Sequence, residues 1–147
     1  LLRVAPFGPA MPDDEVDYAL RMAQALGATA VTCAAPVTSA KRLGAIADRY
    51  GIRVAYESAR DPKDSDAFVR PGAWEQAFFY TRLNAVSLDL GHFTAANNRS
   101  ALAFLREHGA RVAAIRLRDR RINDGPSVPW GEGDSDVAEV LRSALAR

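Results

Sequence analysis

Apolar positions along the chain recur with two periods. Runs that alternate every second residue or stay continuously apolar predict strands over 2–5 (LRVA), 29–35 (TAVTCAA), 52–58 (IRVAYES), 85–92 (AVSLDLGH) and 111–119 (RVAAIRLRD). Segments with the 3.6-residue period of a helix lie between and after them. They cover 11–27, with Val16, Leu20, Ala23 and Leu26 in one stripe, and 38–51, with Leu43, Ile46, Ala47 and Tyr50. Further helices are predicted over 72–83 (Trp74, Ala77, Phe78), 99–109 and 135–146 (Val137, Val140, Leu141, Ala144). Asp13 stands at a helix N-cap position, with Asp14 and Glu15 suited to the positive end of the dipole. Gly27, Gly51 and Gly109 stand where helices stop. Five strands thus alternate with five helices over a single domain, 1–147, and no hairpin signal intervenes. That is parallel α/β architecture.

Alternation within three strands separates their faces. Val54 and Tyr56, Val86 and Leu88, and Ile115 and Leu117 form one apolar face. The other face carries a small residue and then a charged one: Ala55 and Glu57, Ser87 and Asp89, Ala114 and Arg116. Small residues suit the crowded interior of a closed barrel better than a sheet sandwiched by helices. Each charged residue ends its strand, and ligands bind at that end in parallel α/β folds. A buried ion-pair belt is the competing account of the same three residues.

Composition narrows the function classes. The chain has 147 residues, 48% hydrophobic and 25% charged, with a net charge of +1. A near-neutral balance without like-charge runs argues against nucleic-acid or membrane-surface partners. The one cysteine, Cys33, excludes an internal disulfide and reads as a small apolar strand residue. No run approaches the ~20 apolar residues that span a bilayer, and no signal peptide is visible, which points to the cytoplasm. The start, LLRV, lacks a Met and reads as cut or processed.

LDLGHFTAAN (88–97) followed by IRLRDRRINDGPSVPWGEGD (115–134) closely resembles the xylose isomerase-like TIM-barrel family of sugar phosphate isomerases and epimerases. The resemblance runs from about the first helix to the C-terminus. It implies a partial (β/α)8 barrel and proton transfer beside a carbonyl of a small carbohydrate or sugar phosphate. It implies a divalent ion, manganese, magnesium or zinc, with Glu57 and Asp89 as ligands and as the catalytic acids. His92, Asp119 and Arg120 match substrate-side positions of the family motifs, and Arg116 stands among them. Trp130 is a candidate stacking platform for a sugar face.

Two departures qualify these expectations. Arg116 occupies the position of a family histidine, and a guanidinium cannot ligate a metal. This opens an alternative, a degenerate, metal-free member that binds carbohydrate or serves as a structural domain. In addition, a whole barrel takes about 200–250 residues. Five strands in 147 residues therefore read as a fragment, or as a piece completed by other copies in a homo-oligomer. Related DNA-repair endonucleases use a histidine-rich three-zinc cluster, which a chain with two histidines cannot assemble. Of the remaining features, His108 reads as a C-terminal dipole partner and 61–66 (DPKDSD) as a solvated loop or lid.

Overall fold

The computed structural model describes residues 1–4 and 7–146. Its main sheet has five parallel strands in sequence order. They are β1 (Leu2–Arg3), β2 (Ala30–Cys33), β3 (Arg53–Glu57), β4 (Asn84–Asp89) and β5 (Val112–Arg116). The helices are α1 (Asp13–Ala25), α2 (Ala40–Tyr50), α3 (Pro71–Tyr80), α4 (Leu90–Asn97), α5 (Leu102–His108) and α6 (Val137–Leu145). The sheet curls into part of a TIM barrel.

The core shows which face each strand turns to the helices. Val54, Tyr56, Val86 and Leu88 are fully buried in one cluster with Val16 and Leu20 of α1, Leu43 of α2, Trp74 of α3, Leu105 of α5 and Val140 of α6. Tyr56, Phe68 and Trp74 form its aromatic centre, with Tyr56 and Phe68 stacked 4.3 Å apart. Burying each such side chain contributes about 1.5–3 kcal/mol. Cys33 lies in this core, and burial pushes its thiol pKa up, so it is inert packing. Register places Ala55 beside Ala85, Ser87 beside Ala114 and Asp89 beside Arg116 on the opposite, concave face. The alternation read from the sequence holds across β3, β4 and β5.

Several local expectations are corrected. Pro12, not Asp13, is the N-cap of α1, because its φ of −60° and ψ of 151° turn the chain directly into the helix. Asp13 becomes the first helical residue and accepts from Arg42 Nε of α2 at 2.6 Å. The strand expected over 85–92 stops at Asp89, whose side chain caps α4 by accepting from the His92 N–H at 3.0 Å. His92 is therefore helical. The strand expected to Asp119 stops at Arg116, and an unforeseen antiparallel hairpin follows, β6 (Asp119–Arg120) with β7 (Ser127–Val128). Its turn uses left-handed Asn123 and Asp124 before Gly125, a recognisable hairpin signal. The first strand is shorter than expected, and Ala5 lies outside the described residues.

Candidate functional site

Glu57, Asp89 and Arg116 end β3, β4 and β5 on the concave face, so the sheet itself brings them to one mouth. Glu57 is gripped from across β2. Arg3 Nε donates to its Oε1 at 2.8 Å, and Arg3 Nη2 to its Oε2 at 3.2 Å. This pair holds the Glu57 carboxyl below the usual carboxylate range against the upward push of burial, and the charge of Arg116 adds to the effect.

Asp89 is 2% exposed. One oxygen caps α4, while Oδ2 is buried without a hydrogen-bond partner among the described residues. Two guanidiniums face that oxygen at ion-pair range, Arg118 Nη2 at 3.6 Å and Arg116 Nη1 at 3.9 Å. Arg116 and Asp89 thus meet in a charge contact rather than a hydrogen bond.

His92 sits between these groups with both nitrogens engaged. Nδ1 lies 3.1 Å from the Ser58 carbonyl and Nε2 2.7 Å from Arg118 Nη1. A carbonyl only accepts and a guanidinium only donates, so this arrangement places the imidazole proton on Nδ1. Gly91, the glycine of the DLGH stretch, lies under the stems of Arg118 and Arg120. A Cβ there would fall 2.8 Å from Arg118 Cγ and 2.9 Å from Arg120 Cγ.

Asp119 and Arg120 turn into the following loop. Asp119 accepts from the N–H groups of Gly131, Gly133 and Ser135 at 2.9–3.1 Å. Burial pushes its pKa up, but these donors outweigh it and hold the carboxyl below its usual range. Arg120 donates to the carbonyls of Gly125 and Asp124 and pairs with the Asp124 carboxylate. The charge-then-glycine pattern is therefore a self-anchored loop beside the mouth. Trp130 on this loop is 63% exposed.

A cavity of about 560 Å³ opens beside Glu57, lined also by Phe7, Ala34, Ser58 and Phe68. The segment over 61–66 forms part of its wall through Asp64 and Asp66. Asp66 is fixed there, accepting from the Thr38 N–H at 2.9 Å and the Thr38 hydroxyl at 2.7 Å. His108 lies away from the mouth, 3.4 Å from Glu75 and against Phe104 and Phe78.

The divalent ion implied by the resemblance does not fit these side chains. Arg3 engages both Glu57 oxygens, Arg118 takes the free lone pair of His92, and two guanidiniums face Asp89 Oδ2. Among the described residues no group of three or more His, Cys, Asp or Glu is placed to hold a metal. Arg116 was legible in the sequence, whereas Arg3 and Arg118 were missed. Arg118 had a signal, the same two-residue step from Arg116 that separates Ala114 from Arg116.

No protein-family model matches the chain, and no curated protein matches its sequence. Solved structures match its fold. The IolI protein, described with a bound zinc atom, superposes with a TM-score of 0.72 at 16% identity, over 98% of this chain and 62% of that one. An AP endonuclease of family 2 from Brucella melitensis gives 0.65 at 16% identity, over 90% and 56%. D-allulose 3-epimerase from Methylomonas sp. in complex with D-allulose gives 0.59 at 17% identity, over 91% and 51%. These likenesses show the fold, part of a TIM barrel. The chain spans between about half and two thirds of the length of these structures.

Proposed function

We propose that the chain carries the substrate mouth of a sugar or sugar phosphate isomerase/epimerase-like domain, which moves a proton on a carbon beside a carbonyl. The observation that carries this reading is the convergence of Glu57 and Asp89 at the strand ends of the concave face, beside a cavity. Small carbohydrates are the ligand class suggested by the D-allulose complex of the epimerase of like fold.

In this reading Glu57 is the base. Arg3 keeps it ionised, and each of its oxygens retains a lone pair beyond the one Arg3 uses. It removes the C–H proton and the electron pair moves to the carbonyl oxygen; return of the proton to the other face of the same carbon epimerises it, and return to the adjacent carbon isomerises the sugar as the neighbouring hydroxyl's proton passes to the former carbonyl oxygen. A carboxylate with a lowered pKa is a weak base, so the developing oxyanion needs strong donors. Arg116 and Arg118 supply them. Asp89 is the second carboxylate, His92 positions Arg118, and Asp119 and Arg120 shape the loop that presents Trp130 to the mouth.

A second reading, a metal-free carbohydrate-binding member without catalysis, is favoured by the double hydrogen bond that ties Glu57 to Arg3. Solvent exchange separates the two. The full-length protein is incubated in D2O with a panel of aldoses, ketoses and their phosphates, and deuterium incorporation is followed by NMR. Exchange that disappears in Glu57→Gln supports the enzyme. Saturable binding without exchange supports the binding domain, and neither result leaves the carbohydrate reading without support.

A further inference from the structure

The strand ends carry more positive than negative charge. Arg3, Arg116 and Arg118 bring three guanidiniums to two carboxylates, Glu57 and Asp89, within ion-pair range. The first pair neutralises itself, since Arg3 and Glu57 satisfy each other through two hydrogen bonds. Asp89 is then shared by two arginines at 3.6 and 3.9 Å, neither close enough to hydrogen-bond. One positive charge is left in excess.

The donors are also free to act. The Arg116 side chain is 48% exposed and makes no hydrogen bond among the described residues. The Arg118 side chain is 38% exposed and spends one N–H on His92. A guanidinium has five N–H donors in a fixed fork matched to the two oxygens of a carboxylate or phosphate. Asp89 fixes where the two forks lie without using them up, and His92 orients the second. Neutral hydroxyls need no such surplus of charge.

We propose that Arg116 and Arg118 form an oxyanion-recognition site for an anionic group, phosphate or carboxylate, of the small-molecule substrate. This deepens the carbohydrate reading and rests on it for the location of substrate. The cavity beside Glu57, whose wall includes Asp64 and Asp66, receives the rest of that molecule.

The test uses full-length protein and calorimetry with glucose, glucose 6-phosphate, glucuronate and inorganic phosphate. The anionic probes are expected to bind at least about 10-fold more tightly than glucose, and to weaken as ionic strength rises. Phosphate and carboxylate arms identify the source of the anion. Arg116→Gln and Arg118→Gln should each reduce the preference for anionic over neutral probes about 10-fold or more. Both side chains are partly exposed, and circular dichroism verifies that the variants fold. Equal affinity for neutral and anionic probes, no anion binding at millimolar concentration, or anion binding unaffected by both substitutions overturns the proposal. Glucose binding with solvent exchange in that case leaves the carbohydrate reading standing, so the two failures are distinguishable. Tight stoichiometric binding of manganese or zinc also overturns it.

Discussion

Strand β4 begins and ends with a buried polar residue, and the two are treated in opposite ways. Asn84, at its N-terminal end, is fully buried, and its amide is satisfied on every side shown. Nδ2 donates to the carbonyls of Ala40 and Ala77 at 3.2 and 2.8 Å, and Oδ1 accepts from the Tyr56 hydroxyl at 2.9 Å. These bonds tie α2, α3 and β3 to β4. Asp89, the sixth and last residue of the same strand, is nearly as buried but keeps Oδ2 without a hydrogen bond. A satisfied buried group contributes to stability, while an unsatisfied one costs free energy and persists where something else requires it. The N-terminal end of the strand is satisfied within the fold, and its C-terminal end keeps a buried acceptor without a hydrogen bond.

The largest expected effect lies at the N-terminal end. Asn84→Ala strips the Tyr56 hydroxyl and two backbone carbonyls of their partner and should destabilise the protein by about 2–4 kcal/mol. Urea unfolding measures this. A loss below about 1 kcal/mol would break the contrast, because Asn84 would then hold nothing that Asp89 does not. The nearby Gly44 points the same way. A Cβ there would meet the Asn84 amide at 3.1 Å, so α2 lies close against this network.

Asp119 provides an intermediate case, a buried carboxylate beside the C-terminal end that is fully used. Asp119→Asn should cost about 1.5–3 kcal/mol, since three N–H groups lose a charged acceptor. Its folded pKa lies below its unfolded one, so its contribution is present in full above about pH 4 and is lost as pH falls through the lowered folded value. Acid titration of loop 131–135 by NMR should show this loss, and the substitution should remove it. A stability unchanged between neutral pH and pH 3 in both proteins would show that the loop is held by other contacts.

These differences in treatment were only partly visible in the chain itself. The alternation of Ala55 and Glu57, Ser87 and Asp89, and Ala114 and Arg116 identified the concave face, because a strand's side-chain period is fixed by its backbone. The partial barrel and the mouth followed from that pattern and the DLGH and GEGD stretches. Arg3 did not follow, because its reach to Glu57 depends on the curl of β1, β2 and β3, which no local pattern encodes. His92 was placed on a strand because an apolar run gives no sign of where a capping carboxylate starts a helix. Asp89 does both jobs, and only its cap on the His92 N–H shows where the strand gives way. Asp119 was matched to the substrate side from the family motif alone, which gives no sign that its carboxylate accepts from its own loop.

Gly91→Ala is a smaller perturbation of the C-terminal end alone. The added methyl presses on the stems of Arg118 and Arg120, which are flexible, so the stability cost should be about 1 kcal/mol. Displacing Arg118 should loosen its bond to His92 and change the His92 ring resonances in NMR. Unchanged resonances would mean that the two arginine stems yield without moving the guanidinium.

Asp89→Asn should have the smallest effect on stability and is the sharpest test of the contrast. Asparagine retains an oxygen for the His92 N–H, so the cap of α4 survives, and Asn is as good a cap as Asp. It removes a buried negative charge whose Oδ2 makes no hydrogen bond, and the change in unfolding free energy should stay within about 1 kcal/mol. The mouth changes far more than the fold. With Asp89 neutral, Arg116 and Arg118 no longer share a carboxylate, and the excess there rises from one positive charge to two. Anionic probes should then bind several-fold more tightly, while proton exchange on the carbohydrate substrate falls with the loss of the second carboxylate. If the substitution instead destabilises the protein as strongly as Asn84→Ala, Asp89 is an ion-pair anchor holding the strand ends together. The two ends of β4 would then be doing the same work.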